Sequence, residues 1–166
     1  MDEITHLATT LGQRLQALRA SATTAESCTG GGIAEAITRV AGSSAWFEAG
    51  FVTYSNRQKQ LQLGVAAHLF DQVGAVSEEV VIAMAQGAAA KADARFAVAV
   101  SGIAGPGGGS QVKPVGTVWL AWTDGQAVFT TRRQFPGDRQ AVREQTVVAA
   151  LQGLLALANG EKPVQG

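Results

Sequence analysis

The passage from Thr23 to Ile37, TTAESCTGGGIAEAI, constrains this chain most: a short β-prone segment runs through three glycines into a helical pattern. A handover of this kind turns the backbone sharply, and free N–H groups and the positive end of the helix dipole converge on the corner. Ser27 and Cys28 place a hydroxyl and a thiol there. Such a corner can aim a nucleophile outward and stabilise an oxyanion or a phosphate with backbone donors. On the residues alone a plainer reading stays open, in which Ser27 or Thr29 only caps the next helix.

The rest of the chain repeats the alternation of helix and strand. Ile4, Leu7, Leu11, Leu15 and Leu18 fall on one side of a helix by their three- and four-residue spacing. Ser21–Ala25 is β-prone, and a helix is expected from about Thr29 to Val40, ended by Ala-Gly-Ser-Ser at 41–44. Phe47–Tyr54 reads as a strand rich in aromatic and β-branched residues. Asn56 then caps a helix holding Lys59, Leu61 and Leu63, and a short helical piece around Ala66–Asp71 precedes Gly74. Ser77, followed by Glu78 and Glu79, starts an alanine-rich helix that reaches about Ala92.

Phe96–Val100 is a nearly continuous apolar run, as a central buried strand requires. Gly102–Pro114 is the longest loop. Val115–Thr123 and Ala127–Phe135 flank Asp124-Gly125, a strong hairpin signal. Asp138 caps a final helix to about Ala158, and the tail after Gly160 is expected to fray. Helices interspersed with strands, plus one hairpin, predict an α/β fold: a three-layer α/β/α sandwich with a mixed β-sheet. With no internal repeat or linker, residues 1–166 are expected to form a single domain.

Charge and cysteine content narrow the function classes. Lys+Arg and Asp+Glu balance at 13 each, so no broad basic surface is supplied for nucleic acid. A local phosphate site remains open, because it takes only a few cations and backbone amides. The single cysteine rules out an internal disulfide and suits a reducing compartment. The N-terminus lacks a basic segment followed by an apolar one, and no apolar run is long enough to cross a bilayer. A cytoplasmic protein with no membrane partner is therefore expected. His6 and His68 have no carboxylate or thiol at ligand spacing, which argues against a bound metal. A homo-oligomer is compatible with the sequence, which does not fix one.

Five blocks occur in a telling order: AESCTGG at Ala25–Gly31, GSSAWFEAGFVTYSNRQK at Gly42–Lys59, GAVSEE at Gly74–Glu79, SGIAGPGGGS at Ser101–Ser110 and KPVGTVW at Lys113–Trp119. Together they closely resemble the CinA C-terminal domain family, whose stand-alone members are nicotinamide-nucleotide amidases. The chain looks like the stand-alone form, without the molybdopterin-binding-like domain that precedes this module in longer CinA proteins.

The resemblance implies that the deamidase machinery falls on Ser27, Tyr54 and Lys59, and each residue type suits that role. A serine hydroxyl is a poor nucleophile until something takes its proton. A lysine can do so if burial or a neighbouring cation lowers its pKa from about 10.4 toward neutrality. Tyr54 and Lys59 lie near one strand-to-helix corner, where a phenol between Ser27 and Lys59 would orient the amine or relay a proton. On the residues alone, Lys59 reads as a solvated helix lysine and Tyr54 as a half-buried strand residue. Cys28 is the rival nucleophile, since a thiol near a helix N-terminus can be activated. Glu26 would either orient Lys59 or a substrate hydroxyl, or simply satisfy the nearby helix start.

The second glycine-rich element holds Gly102, Gly105, Gly107, Gly108 and Gly109 with Pro106. It matches neither a Walker A loop nor a dinucleotide fingerprint. Beside the resemblance it reads as a wall of a mononucleotide site, with Ser110 and Lys113 as phosphate contacts. Arg139 and Arg143 share one face of the last helix and suit bidentate phosphate recognition, or else a solvated face. Backbone N–H groups of Thr29, Gly30 and Gly31 are the expected oxyanion donors. Gly32 stands where family members often carry a larger residue, which would widen the pocket or loosen the first helical turn.

The function expected is hydrolysis of the carboxamide of nicotinamide mononucleotide to the acid and ammonia through an acyl-Ser27 intermediate, with no metal or redox cofactor required. Two alternatives stay open: a nucleotide- or partner-binding module without turnover, and an amidase acting on another phosphorylated amide.

Overall fold

The computed structural model describes residues 1–163. The expected fraying of the tail concerns in part residues 164–166, which lie outside the described residues. Five strands form one sheet: β1 (Ala22–Glu26), β2 (Phe47–Val52), β3 (Phe96–Gly102), β4 (Thr117–Thr123) and β5 (Val128–Gln134), in the order β2-β1-β3-β4-β5. β1 pairs in parallel with β2 and β3, whereas β3, β4 and β5 pair antiparallel. The sheet is mixed, as the sequence predicts.

Six α-helices cover it: α1 (Glu3–Leu18), α2 (Gly32–Thr38), α3 (Asn56–Leu63), α4 (His68–Gln72), α5 (Glu78–Ala92) and α6 (Arg139–Ala158). Leu11 and Leu15 of α1, Ile33 and Ile37 of α2, and Leu151 and Leu154 of α6 pack on one face against Val98, Val100 and Leu120. On the other face Leu63 of α3 and Val80, Val81 and Met84 of α5 pack against Ala25, Ala99 and Ala121. The result is the three-layer α/β/α sandwich. Small residues of β1 and β3 on the second face let α5 settle close to the sheet.

The local signals explain most of the element boundaries. Asp2, Ser55, Ser77 and Asp138 each accept a backbone N–H from the first turn of the helix they precede. Asp124 Oδ1 accepts from the N–H groups of Gln126 and Ala127, both at 2.9 Å, and holds the β4–β5 hairpin. Two tryptophans lie over glycines. A Cβ on Gly153 would come within 2.1 Å of Trp122, so α6 can cross that indole only with glycine there.

One expected element is shorter than its pattern. The helix beginning near Thr29 starts at Gly32, because Gly30 and Gly31 take φ of 58° and 101°. That left-handed conformation is ruinous to a helix but natural to glycine.

Candidate functional site

Successive residues of β1 point to opposite faces of the sheet, and this sets up the site. Ala25 packs on the face bearing α3 and α5, Glu26 turns to the face bearing α2, and Ser27 returns to the first. The Glu26 carboxylate is fully buried and accepts three hydrogen bonds: Thr29 Oγ1 at 2.5 Å, Ile33 N–H at 2.9 Å and Ala34 N–H at 3.0 Å. The N-cap of α2 is Gly31, which has no side chain to offer, so Glu26 supplies the anion that this helix start favours. Glu26 therefore satisfies the helix and does not touch Lys59.

Lys59 reaches the site from α3. The helix is held by a close approach to α5, where a Cβ on Gly87 would lie 2.0 Å from the Leu63 carbonyl oxygen. The Lys59 side chain is 1% exposed. Its Nζ lies 3.0 Å from Ser27 Oγ, 2.8 Å from the Thr53 carbonyl oxygen and 3.1 Å from that of Tyr54. No carboxylate among the described residues pairs with it. Burial pushes its pKa down from 10.5 to about 8. Cys28 is buried too, and loss of hydration raises its pKa to about 11, so the thiol stays protonated and inert near neutrality.

These groups border a cavity of about 270 Å3. Ser27, Cys28 and Lys59 lie at one side, Tyr54, Asn56, Ala75 and Val76 at another, and the segment from Ser101 to Gly108 closes it with Arg139. Of the expected residues, Ser27, Lys59, Tyr54, Gly105, Gly107, Gly108 and Arg139 are thus brought together. A larger hollow of about 680 Å3, between α1, β5 and α6, contains none of them.

Other expected contacts fall elsewhere. The Tyr54 phenol does not stand between Ser27 and Lys59. The residue is 60% exposed, its hydroxyl accepts from Arg139 Nη2 at 2.9 Å, and only its backbone carbonyl meets the amine. Arg139 Nη1 also donates to the Gly105 carbonyl at 2.8 Å, so this side chain ties the glycine loop to the β2–α3 corner.

Thr29, Gly30 and Gly31 do not line the cavity. The Thr29 hydroxyl is spent on Glu26, its carbonyl accepts from Arg143 Nη2 at 3.1 Å, and the Gly30 N–H is tied to the Ser27 carbonyl. Ser110 and Lys113 lie outside the cavity as well. The Ser110 N–H donates to the Lys113 carbonyl, the Lys113 N–H donates to Ser110 Oγ, and Lys113 Nζ donates to the Val73 carbonyl at 2.6 Å. Arg143 borders a second hollow of about 650 Å3 with Pro106, Asp138 and Arg139. Gly32 faces away from the site, with its absent Cβ 3.2 Å from Val147 of α6, so it serves helix packing and not pocket width.

Ser101, Asn56, Ala75 and Val76 join the cavity without having been singled out. Only Ser101 carried a signal, a polar residue directly after the apolar run of β3.

Chemically, a buried amine of lowered pKa against a serine hydroxyl is a base beside a nucleophile. No group of three or more His, Cys, Asp and Glu side chains among the described residues is arranged to hold a metal ion, and no described helix is long and apolar enough to cross a membrane.

The family described as the CinA C-terminal domain matches residues 4–158. The nicotinamide-nucleotide amidohydrolase PncC of Pseudomonas putida is 73% identical over 157 residues, 95% of this chain and 98% of that protein. The nicotinamide-nucleotide amidohydrolase PncC of Escherichia coli strain K12 is 56% identical over 153 residues, covering 92% and 93% of the two chains. Among solved structures, competence/damage inducible protein CihA from Agrobacterium tumefaciens superposes with a TM-score of 0.92 at 45% identity, covering 95% of this chain and 96% of its own.

Proposed function

This chain belongs to the CinA C-terminal domain family, and we propose that it hydrolyses the carboxamide of nicotinamide mononucleotide to the acid and ammonia, with Ser27 as nucleophile and Lys59 as its base. It is an amidohydrolase of nicotinamide nucleotides, like the relatives it matches over nearly its whole length. The observation that carries the mechanism is the Lys59 Nζ, buried with no carboxylate partner among the described residues, 3.0 Å from Ser27 Oγ.

The surroundings of the amine suit a base. In its neutral form Lys59 has two N–H bonds and one lone pair. The carbonyls of Thr53 and Tyr54 take the two N–H bonds, which leaves the lone pair directed at the Ser27 hydroxyl. Ser27 then attacks the amide carbon while its proton passes to Lys59. Collapse of the tetrahedral adduct breaks the C–N bond, and Lys59 returns the proton to the departing ammonia. Water hydrolyses the acyl-enzyme by the same two steps. Tyr54 supports this through its carbonyl, and its phenol holds Arg139 at the cavity mouth.

Arg139, with the backbone of Gly105, Gly107 and Gly108, is our choice for the 5′-phosphate, and Arg143 borders the adjoining hollow. Thr29–Gly31, Ser110 and Lys113 then act on the architecture of the walls. Residues 1–166 would act as one domain in the cytoplasm, where the single thiol stays reduced.

The test is ammonia release from nicotinamide mononucleotide. Ser27→Ala should lose about a million-fold in kcat while its thermal midpoint stays near wild type. Cys28→Ser should keep most of the activity. An active Ser27→Ala and a dead Cys28→Ser would overturn the assignment.

A further inference from the structure

An acyl transfer to Ser27 needs donors where the carbonyl oxygen becomes an oxyanion. The first glycine run does not supply them, because Thr29–Gly31 lie outside the cavity and the Gly30 N–H is bound to the Ser27 carbonyl. A donor must come from another group on the cavity wall.

Ser101 stands in the right place. The parallel register of β1 and β3 runs from Ala22 opposite Phe96 to Ala25 opposite Ala99. Carried two residues further, it sets Ser27 opposite Ser101 at the carboxyl ends of two neighbouring strands. Alternation along β3 puts Ser101 on the face of Ala97 and Ala99, the same face on which Ser27 meets Lys59. Neighbouring parallel strands lie about 4.8 Å apart, room for a carbonyl group between the two hydroxyls.

The Ser101 residue is 2% exposed, and what it exposes opens on the same 270 Å3 cavity. None of the side-chain hydrogen bonds among the described residues engages its hydroxyl. The hydroxyl is not among the fully buried atoms that lack a partner, so it opens on the cavity, where a substrate oxygen can accept from it. Thr53, in the corresponding place on the β2 side of Ser27, also has an unpartnered hydroxyl, but it lies outside the cavity wall and cannot meet a substrate.

We propose that Ser101 is a further catalytic residue, whose hydroxyl donates to the carboxamide oxygen as it becomes the oxyanion. This rests on the Ser27–Lys59 reading above. As the Ser27 Oγ–C bond forms, the carbonyl π pair moves onto oxygen and the Ser27 proton goes to Lys59. Ser101 keeps its own proton and only shares it with the oxyanion. When the C–N bond breaks, the pair returns to re-form C=O and the Lys59 proton leaves with ammonia.

The experiment compares Ser101→Ala and Ser101→Thr with wild type in two assays. One follows ammonia from nicotinamide mononucleotide. The other follows acetylation of Ser27 by p-nitrophenyl acetate, read by mass, which uses the same oxyanion position whatever the natural amide. Loss of one oxyanion donor should lower kcat about 100-fold or more. KM should stay within about threefold, because the interaction is made in the transition state. Ser101→Ala should also slow the acetylation at least about tenfold, and Ser101→Thr should restore both rates.

The acid limb of the pH profile should not move, since Lys59 is untouched. Rates of Ser101→Ala within about twofold of wild type in both assays would overturn the proposal. So would losses that track a lowered thermal midpoint and are not restored by threonine, or a wild type whose Ser27 is never acetylated. A wild type that acetylates Ser27 but releases no ammonia from the mononucleotide would sink the substrate assignment and leave Ser101 to be judged on acetylation.

Discussion

Replacing Lys59 with methionine should make the protein more stable below pH 8 while abolishing activity. The burial that tunes this lysine is a cost to the fold. Its pKa falls from 10.5 in the free residue to about 8 in the folded protein. Below about pH 8 the amine is protonated in both states, and the folded state bears the full burden of a buried charge. Between about 8 and 10.5 the unfolded chain binds the extra proton, so stability rises with pH. Above that window both states are neutral and the burden is gone.

At about 1.36 kcal/mol per pH unit, the burden is about 3 kcal/mol. Methionine fills a similar volume without a charge, but leaves the carbonyls of Thr53 and Tyr54 without their donor, which returns about 1–2 kcal/mol of the gain. Urea unfolding of both proteins from pH 6 to 11 measures the difference. Lys59→Met should be more stable by about 1–2 kcal/mol at pH 7, and the order should reverse by pH 10.5. A difference between the two proteins that does not change with pH would refute the claim that Lys59 is depressed by burial.

Four other outcomes follow from the same geometry. The kcat/KM for ammonia release should fall on the acid side with an apparent pKa near 8, and Lys59→Arg should be nearly inactive, because guanidinium does not deprotonate at working pH. Glu26→Gln, which puts an NH2 group against the donors at the start of α2, should cost about 3 kcal/mol and lower the thermal midpoint by roughly 10 °C in a scan. Gly87→Ala should push α3 away from α5 and, through Lys59, cut kcat about 10- to 100-fold in the ammonia assay. Arg139→Ala should lower kcat/KM toward the mononucleotide by about 10- to 100-fold and leave nicotinamide riboside nearly unaffected; equal losses on both would assign Arg139 to holding Tyr54 and Gly105 instead.

The sequence carried the fold well because its signals were local. Caps at Ser77 and Asp138, the Asp124-Gly125 turn and the apolar run of β3 each depend on a few neighbouring residues, and each appears in place, while the cap expected at Asn56 falls one residue earlier, on Ser55. The site was half legible. The Ser27–Lys59 pair spans 32 residues, and only the resemblance to a family joined it before the structure did. Contacts decided by where a long side chain turns were not legible. Tyr54 sits beside Lys59 in sequence, yet its ring swings out to Arg139, 85 residues on. Lys113 follows a glycine loop that lines the cavity, yet its amine reaches Val73, 40 residues back. Neither direction is encoded by spacing, since tertiary packing chooses the rotamer. Glu26 was legible only as an ambiguity, resolved when Gly30 and Gly31 turned the chain and brought Ile33 and Ala34 under its carboxylate.

The alternation of β1 also makes the sheet an insulator. The acid that could neutralise Lys59 is the residue immediately before Ser27, but the strand directs it through to the opposite layer, where the start of α2 engages both its oxygens. An ion pair would hold the lysine charged and end its use as a base. A single residue deleted from β1 would exchange the two faces, delivering the carboxylate to the amine and the hydroxyl to the helix. What would keep the proposed base free of a carboxylate is thus a matter of parity, in which odd positions from Ala25 to Ser27 face the layer of α3 and α5 and the even one between them faces α2.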